Sequence, residues 1–94
     1  MVRIEWTERS LEDLNEIRDY IARDSKSYAN LFVKKLYDAV QKLKEFPNIG
    51  RFVPEVNITS VREIIFQNYR IIYRNMIDYI EIITIFHGSR LLRL

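Results

Sequence analysis

The C-terminal half of the chain has a pattern of apolar and polar positions that predicts three β-strands. Residues 61–87, VREIIFQNYRIIYRNMIDYIEIITIFH, are rich in β-branched and aromatic residues, which strands favour. Polar breaks at residues 67–68 and 75–78 divide this run into three. Because a parallel crossover needs about a dozen residues, such short breaks indicate antiparallel neighbours.

The same alternation assigns the two faces of the predicted sheet, since successive side chains of a strand point to opposite sides. One face is expected to cover the core and consists of Tyr69, Ile71, Tyr73, Ile80, Ile82, Thr84 and Phe86. The opposite face is expected to carry Arg70, Ile72, Arg74, Tyr79, Glu81, Ile83, Ile85 and His87. A face that mixes charges with aliphatic side chains indicates contact with a partner.

Two amphipathic helices are predicted ahead of these strands. Residues 2–6, VRIEW, alternate like a short strand, and Thr7 then occupies the N-cap position of a helix over residues 8–23. Its apolar stripe consists of Leu11, Leu14, Ile17 and Ile21, and its outer faces carry Glu12, Asp13, Glu16 and Asp19. A second helix is expected from residue 26 or 27 to residue 45, before Pro47. The short link RDSKS makes the two helices an antiparallel hairpin.

These elements predict an α+β fold in which an N-terminal strand and an antiparallel helical hairpin pack on one face of a mainly antiparallel sheet. The length of 94 residues suits one domain, residues 1–94. Residues 46–60, FPNIGRFVPEVNITS, form a long loop, and such loops in small domains are typically functional or mobile. In the tail, residues 88–94, three leucines (Leu91, Leu92 and Leu94) suggest packing against the helices.

Composition narrows the chemistry that the chain can perform. Hydrophobic residues make up 48% and charged residues 30%, as in globular proteins. With no cysteine and a single histidine, neither a thiol nucleophile nor the usual kind of zinc site is expected, so we predict no metal and no cofactor. The sequence shows no secretion signal or membrane span, which predicts a cytoplasmic protein without a membrane partner.

The positive charge of the chain is concentrated in its second half. Residues 46–94 contain six arginines, no lysine and four acidic residues, which accounts for the whole net charge of +2. Arginine favours planar, bidentate contacts with phosphate or carboxylate groups. The candidates for binding a target or a nucleic acid are Arg51, Arg62, Arg74 and Arg90.

Three residues are candidates for catalysis of RNA cleavage, namely Glu55, Arg70 and His87. A base would take the proton of a 2′-hydroxyl, an acid would protonate the leaving oxygen, and an arginine would stabilise the pentacoordinate phosphate. Arg70, Arg74 and His87 would share the outer face in the expected register. A single histidine at a strand end is more often an ordinary surface or capping residue than a catalytic one, and the residues alone leave both interpretations open.

Four stretches of the chain resemble the RelE/ParE superfamily of toxins: IEWTERSLEDLNEIRDYIA, FPNIGRFVPE, REIIFQNYRIIYR and IEIITIFHGSR. The resemblance implies the toxin of a type II toxin–antitoxin system, which arrests growth, serves plasmid stabilisation and is neutralised by an antitoxin protein. Under this interpretation the antitoxin would bind the outer face at Ile72, Arg74, Ile83 and Ile85.

The superfamily is divided by target, and the division leaves three functional hypotheses. RelE-like and YoeB-like members cut mRNA on the ribosome, and the resemblance places Arg70, His87 and Glu55 at or near their functional positions. ParE-like members block DNA gyrase. Gly88 after His87, the nearby Arg90 and the long helical hairpin favour a ParE-like gyrase inhibitor, which is not an enzyme. One alternative is a ribosome-dependent mRNA endonuclease, which would be an enzyme. The other is an inactive toxin fold that acts as a binding module.

Overall fold

The computed structural model describes residues 2–90 and has the predicted α+β architecture, with two helices packed on a mixed sheet. In chain order the elements are β1 (Arg3–Trp6), α1 (Glu8–Ala22), α2 (Lys26–Gln41), a 3₁₀ turn (Lys42–Lys44), β2 (Arg51–Phe52), β3 (Val61–Phe66), β4 (Tyr69–Asn75) and β5 (Tyr79–His87). The short strand β2 lies inside the predicted loop. The packing expected of Leu91, Leu92 and Leu94 lies outside the described residues.

Both helices begin at the side-chain caps that their sequences provide. The predicted N-cap Thr7 is confirmed, because its hydroxyl oxygen accepts a hydrogen bond from the Ser10 N–H at 3.1 Å. The same hydroxyl lies 2.9 Å from the carbonyl oxygens of Ile82 and Ile83, so it also fastens α1 to β5. Ser25 caps α2 by accepting from the Tyr28 N–H at 3.1 Å.

The sheet has the strand order β1-β5-β4-β3-β2. Strand β1 is parallel to β5, whereas the other neighbours are antiparallel, which confirms the mainly antiparallel sheet. The helical hairpin covers one face. The main core lies between the helices and the sheet and is formed by Phe32, Leu36, Val40, Leu43, Ile71, Tyr73, Ile80, Ile82 and Ile85.

A β-bulge in β5 changes the faces that the sequence predicts for its last residues. Ile72 lies opposite Thr84 while Tyr73 lies opposite Ile82, so β5 contains one extra residue. Ile85 consequently packs in the main core under the helices, and Phe86 packs on the opposite side of the sheet. The expected positions of Ile85 and Phe86 are therefore wrong, because alternation assumes an unbroken period of two.

The loop between α2 and β3 covers part of the face that we expected to be exposed. Val53 is buried against Val61 and Ile72, with Val56, Ile83 and Phe86 packed around them as a second apolar cluster. Within residues 2–90, no helix is long and apolar enough to cross a membrane.

Candidate functional site

Tyr73 anchors the first half of the loop to the sheet. Its buried hydroxyl donates to the Pro47 carbonyl at 2.9 Å and accepts from the Gly50 N–H at 3.0 Å. A Cβ at residue 50 would lie 2.6 Å from both the Tyr73 hydroxyl and the Glu63 carbonyl oxygen, so glycine is required. Burial raises the pKa of the Tyr73 phenol, which keeps the proton that holds Pro47 in place.

The second half of the loop positions Glu55 against Arg70. The Arg70 side chain is only 7% exposed and donates from Nη1 and Nη2 to the two Glu55 carboxylate oxygens, at 2.6 and 2.7 Å. Its Nε donates to Glu63 at 2.6 Å, and Nη1 also donates to the Arg90 carbonyl at 2.9 Å. One guanidinium thereby connects the loop, β3 and the turn that follows β5.

Glu63 extends this contact into a chain of four alternating charges, Arg51–Glu63–Arg70–Glu55, which we call the ion cluster. The Glu63 side chain is fully buried, and its second oxygen accepts from Arg51 Nε at 2.6 Å. A buried carboxylate is tolerated only when it is paired, and Glu63 has one arginine on each oxygen. Hydrogen bonding to Glu55 raises the pKa of Arg70 against the opposing effect of burial, so Arg70 remains charged.

The ion cluster bears directly on the catalytic interpretation of Arg70. The loop brings Glu55 and Arg70, two of the three catalytic candidates, into contact. Four of the roughly five N–H groups of a guanidinium are nevertheless used inside the protein. A substrate phosphate could take the bidentate position only by displacing Glu55. The catalytic roles of Glu55 and Arg70 stay predictions.

His87 lies on the helix side of the sheet, away from the Arg70 guanidinium. Its Nδ1 is 2.8 Å from the Ser89 hydroxyl and accepts from the Ser89 N–H at 3.2 Å, and its ring meets Tyr69 edge-on at 5.8 Å. The Arg70 guanidinium instead lies over the Phe86 ring, at 5.1 Å. The expectation that His87 shares a face with Arg70 and Arg74 is therefore wrong, because the bulge moves the last side chains of β5 to the opposite faces of the sheet.

The four predicted binding arginines are spread over the molecule. Arg62 donates from Nη1 to the carbonyls of Asn48 and Gly50, at 3.3 and 2.8 Å. Arg51 and Arg90 line a cavity of about 290 Å³ beside the ion cluster. Arg74 is half-buried at the other end of the outer face, opposite Glu81 of β5. Their roles in binding a target stay predictions.

The four residues expected to contact an antitoxin differ in exposure. Ile72 and Ile85 are 0% and 2% exposed, so the exposure expected of them is wrong. Ile72 is covered by the loop and Ile85 by the helices, for the reasons given above. Arg74 and Ile83 are half-buried and still present surface on the outer face.

A groove of about 960 Å³ between α1 and the end of β5 is lined by Asp13, whose predicted position is wrong. Asp13 was expected on the outer helix face, but it accepts from the Thr84 hydroxyl and from the Ile85 N–H, at 2.5 and 3.0 Å. Strand β1 ends opposite Ile82, so Asp13 supplies the acceptor that the edge of β5 lacks. The spacing of Ser10, Asp13 and Ile17 on one helix face was the signal for this position.

Comparison with known proteins supplies a family. A family described as "ParE toxin of type II toxin-antitoxin system, parDE" matches residues 4–92. Putative toxin Y4kP of Sinorhizobium fredii (strain NBRC 101917 / NGR234) is 39% identical over 90 residues, which cover 94% of this chain and 90% of that protein. Toxin RelE2 of Caulobacter vibrioides (strain ATCC 19089 / CIP 103742 / CB 15) is 34% identical over 92 residues, covering 97% and 100%.

The fold is also similar to a solved structure, the "Chromosomal ParDE TA system from P. aeruginosa". The superposition has a TM-score of 0.79 and covers 95% of this chain and 98% of the other. Because the two sequences are 23% identical, this similarity supports the fold alone.

Proposed function

This chain belongs to the ParE toxin family of type II toxin–antitoxin systems, and on that premise we propose that it arrests growth by inhibiting DNA gyrase. It would do so by binding, not by catalysis. The proposal rests on the environment of Arg70. Its guanidinium is buried and hydrogen-bonded to Glu55, Glu63 and the Arg90 carbonyl.

The separation of the candidate catalytic groups supports the same proposal. General acid–base catalysis requires groups within hydrogen-bonding reach of one substrate. His87 opens toward the groove beside α1, whereas Glu55 and Arg70 line the small cavity on the other side of the turn after β5. Arg70 and His87 thus line different cavities, an arrangement that favours a gyrase inhibitor, which needs no shared catalytic site.

We also propose that a cognate antitoxin neutralises this toxin in the cytoplasm. The antitoxin would contact the open part of the outer face at Arg74 and Ile83, which remain half-buried. Ile72 and Ile85 are buried and would instead support this surface from within. An antitoxin segment could add a strand or lay a helix on it, the two common modes of peptide recognition by such surfaces.

The experiment that tests the target compares DNA synthesis with protein synthesis after induction of the toxin. Early loss of thymidine incorporation with an SOS response, together with inhibition of purified gyrase in a supercoiling assay, is expected. Immediate loss of methionine incorporation with cleavage of a translated message would replace gyrase by the ribosome. Normal growth with a soluble, folded protein would identify the inactive binding module.

A further inference from the structure

The first part of the loop exposes three large apolar side chains within seven residues. Phe46, Ile49 and Phe52 are 56%, 63% and 56% exposed, and we call these three residues the loop knob. With ~150–250 Å² for a large side chain, their exposed area is roughly 300 Å², the size of patches that are often functional. They pack on neither apolar cluster of the fold.

Hydrogen bonds hold the loop knob in one conformation. The Ile49 N–H donates to the Phe46 carbonyl at 3.1 Å, which closes a turn. Tyr73 holds Pro47 inside this turn and Gly50 directly after it, and the Asn75 side chain donates to Asn48 at 2.9 Å. A surface that is already ordered loses little conformational entropy when a partner binds, so these contacts favour recognition.

Arg62 gives the loop knob a positive charge. Its guanidinium lies 4.4 Å from the centre of the Phe52 ring, a cation–π distance. Its hydrogen bonds run to the backbone carbonyls of Asn48 and Gly50, and no residue in the range 2–90 gives it a carboxylate partner. An aromatic ring with a stacked arginine is the composition of many binding hot spots.

We infer that the loop knob together with Arg62 is the surface through which this toxin contacts its target. The partner surface would be a folded protein with an apolar pocket bordered by carboxylates, which complement the charge of Arg62. The inference rests on the proposed function in taking that protein to be DNA gyrase.

The shape of the loop knob favours a folded target over the antitoxin. Neither the groove of about 960 Å³ nor the cavity of about 290 Å³ is lined by Phe46, Ile49 or Phe52. Protruding side chains fit a pocket that a folded partner provides, whereas a peptide segment needs a groove or a longer strand edge than the two residues of β2. The two partners would therefore use different surfaces of this molecule.

The test measures binding of the purified toxin to gyrase holoenzyme and, in parallel, to the cognate antitoxin. The double variant Ile49→Ser/Phe52→Ser should lose at least about 30-fold in gyrase affinity, as expected for hot-spot residues. Its antitoxin affinity should change by less than about threefold. Leu31→Ser is the matched control, because Leu31 is 45% exposed on α2 and lies outside the loop knob. Circular dichroism and urea unfolding establish that each variant is folded.

A second variant tests the charge. Arg62→Gln should slow association with gyrase and flatten its dependence on salt between about 0.05 M and about 0.5 M. Arg62→Lys keeps the charge but loses the planar stacking on Phe52, so it should restore the salt dependence without the full affinity.

The outcomes distinguish a wrong target from a wrong binding surface. Wild-type toxin that does not bind gyrase overturns the proposed function, and with it the target assigned to the loop knob. Wild-type toxin that binds gyrase while the double variant binds equally well overturns the loop knob alone. A folded double variant that loses both partners makes these residues a shared or antitoxin interface, which also overturns the inference.

Discussion

Arg70 shows how one side chain can take a structural role at a position where family resemblance suggests catalysis. Its guanidinium binds Glu63 from β3, Glu55 from the loop and the carbonyl of Arg90. Removing it would leave Glu63 buried beside a single, exposed arginine. The residue thereby stabilises the path of the chain on both sides of the outer face.

The first prediction compares the two arginines that share Glu63. Arg70→Ala should lower the free energy of unfolding by about 3–5 kcal/mol, the cost of breaking a buried ion pair from one side. Arg51→Ala is the matched control, because the Arg51 side chain is 62% exposed and should contribute at most about 1 kcal/mol. Urea unfolding measures both. An Arg70→Ala variant that stays as stable as wild type while losing toxicity would point to contact with a substrate or target.

The second prediction concerns the buried phenol of Tyr73 and alkaline pH. Because the folded pKa lies above the unfolded value of about 10, the protonated phenol stabilises the fold below that pH. This contribution is lost as the pH rises from about 10 through the folded pKa. Urea unfolding between about pH 8 and about pH 12 should therefore show a steeper alkaline loss of stability for wild type than for Tyr73→Phe.

At neutral pH the same Tyr73→Phe variant should be about 1–3 kcal/mol less stable than wild type, since Gly50 and Pro47 each lose a buried partner. Tyr20→Phe is the control, because Tyr20 is 65% exposed. If wild type, Tyr73→Phe and Tyr20→Phe lose the same stability at alkaline pH, the loss comes from titratable groups other than Tyr73.

At the scale of elements, local signals predicted the helices and strands well. Thr7 marked the start of α1, and the polar breaks placed the ends of β3, β4 and β5 within one or two residues. These features depend on neighbours in sequence, such as a cap and its N–H group. They are therefore readable before any tertiary contact is known.

The bulge and the covering loop could not be read in the same way. Strand β5 has apolar residues on both faces, at Ile80, Ile82, Ile83, Ile85 and Phe86, and it packs against the helices on one side and the second apolar cluster on the other. Without a polar face to fix the register, alternation cannot locate an extra residue.

The buried charges were equally inaccessible to sequence analysis. Glutamate and arginine are normally exposed, and the pairing of Glu63 with Arg70 exists only because β3 and β4 lie side by side and the loop closes over them. The ion cluster is formed by contacts between residues that are distant in sequence, so it could not be predicted from the sequence alone.

The third prediction tests the contact by which α1 is joined to the edge of β5. Asp13→Ala should cost about 1–3 kcal/mol, because the Ile85 N–H and the buried Thr84 hydroxyl lose their acceptor. Glu12→Ala, at the exposed neighbouring position, should change stability by less than about 0.5 kcal/mol. Thermal or urea unfolding measures the difference, and equal effects of the two substitutions would count against a structural role for Asp13.

At the scale of the whole molecule, residues 2–90 leave three surfaces open to partners. The loop knob lies at the β2 edge of the sheet, the outer face is open around Arg74, and the groove with His87 lies between α1 and β5. A toxin with separate surfaces can have its target and its antitoxin examined independently by mutation.

The fourth prediction addresses the antitoxin surface. Arg74→Glu should weaken the complex with the cognate antitoxin by about tenfold or more, since it reverses a charge on the open part of the outer face. The fold should survive, because Arg74 is half-buried and takes part in neither apolar cluster. Arg18→Glu, at an exposed position on α1, is the control. An antitoxin that binds every variant of this face with unchanged affinity would remove the proposed surface.

The last prediction separates binding from catalysis through His87. If the toxin inhibits gyrase, His87→Ala should leave growth arrest nearly intact, because His87 is exposed and, within residues 2–90, its side chain hydrogen-bonds only to Ser89. If it cuts RNA, the same change should lower cleavage by about 10²-fold or more, the contribution of a lost acid or base. Growth arrest by a soluble, folded variant is measured beside primer extension on a translated message, with Ser89→Ala as the control for the local turn. Loss of both growth arrest and message cleavage would require a conformational change that brings His87 and Arg70 to one phosphate, and it would contradict gyrase inhibition. Retained growth arrest without cleavage is the outcome that the separation of these two side chains predicts.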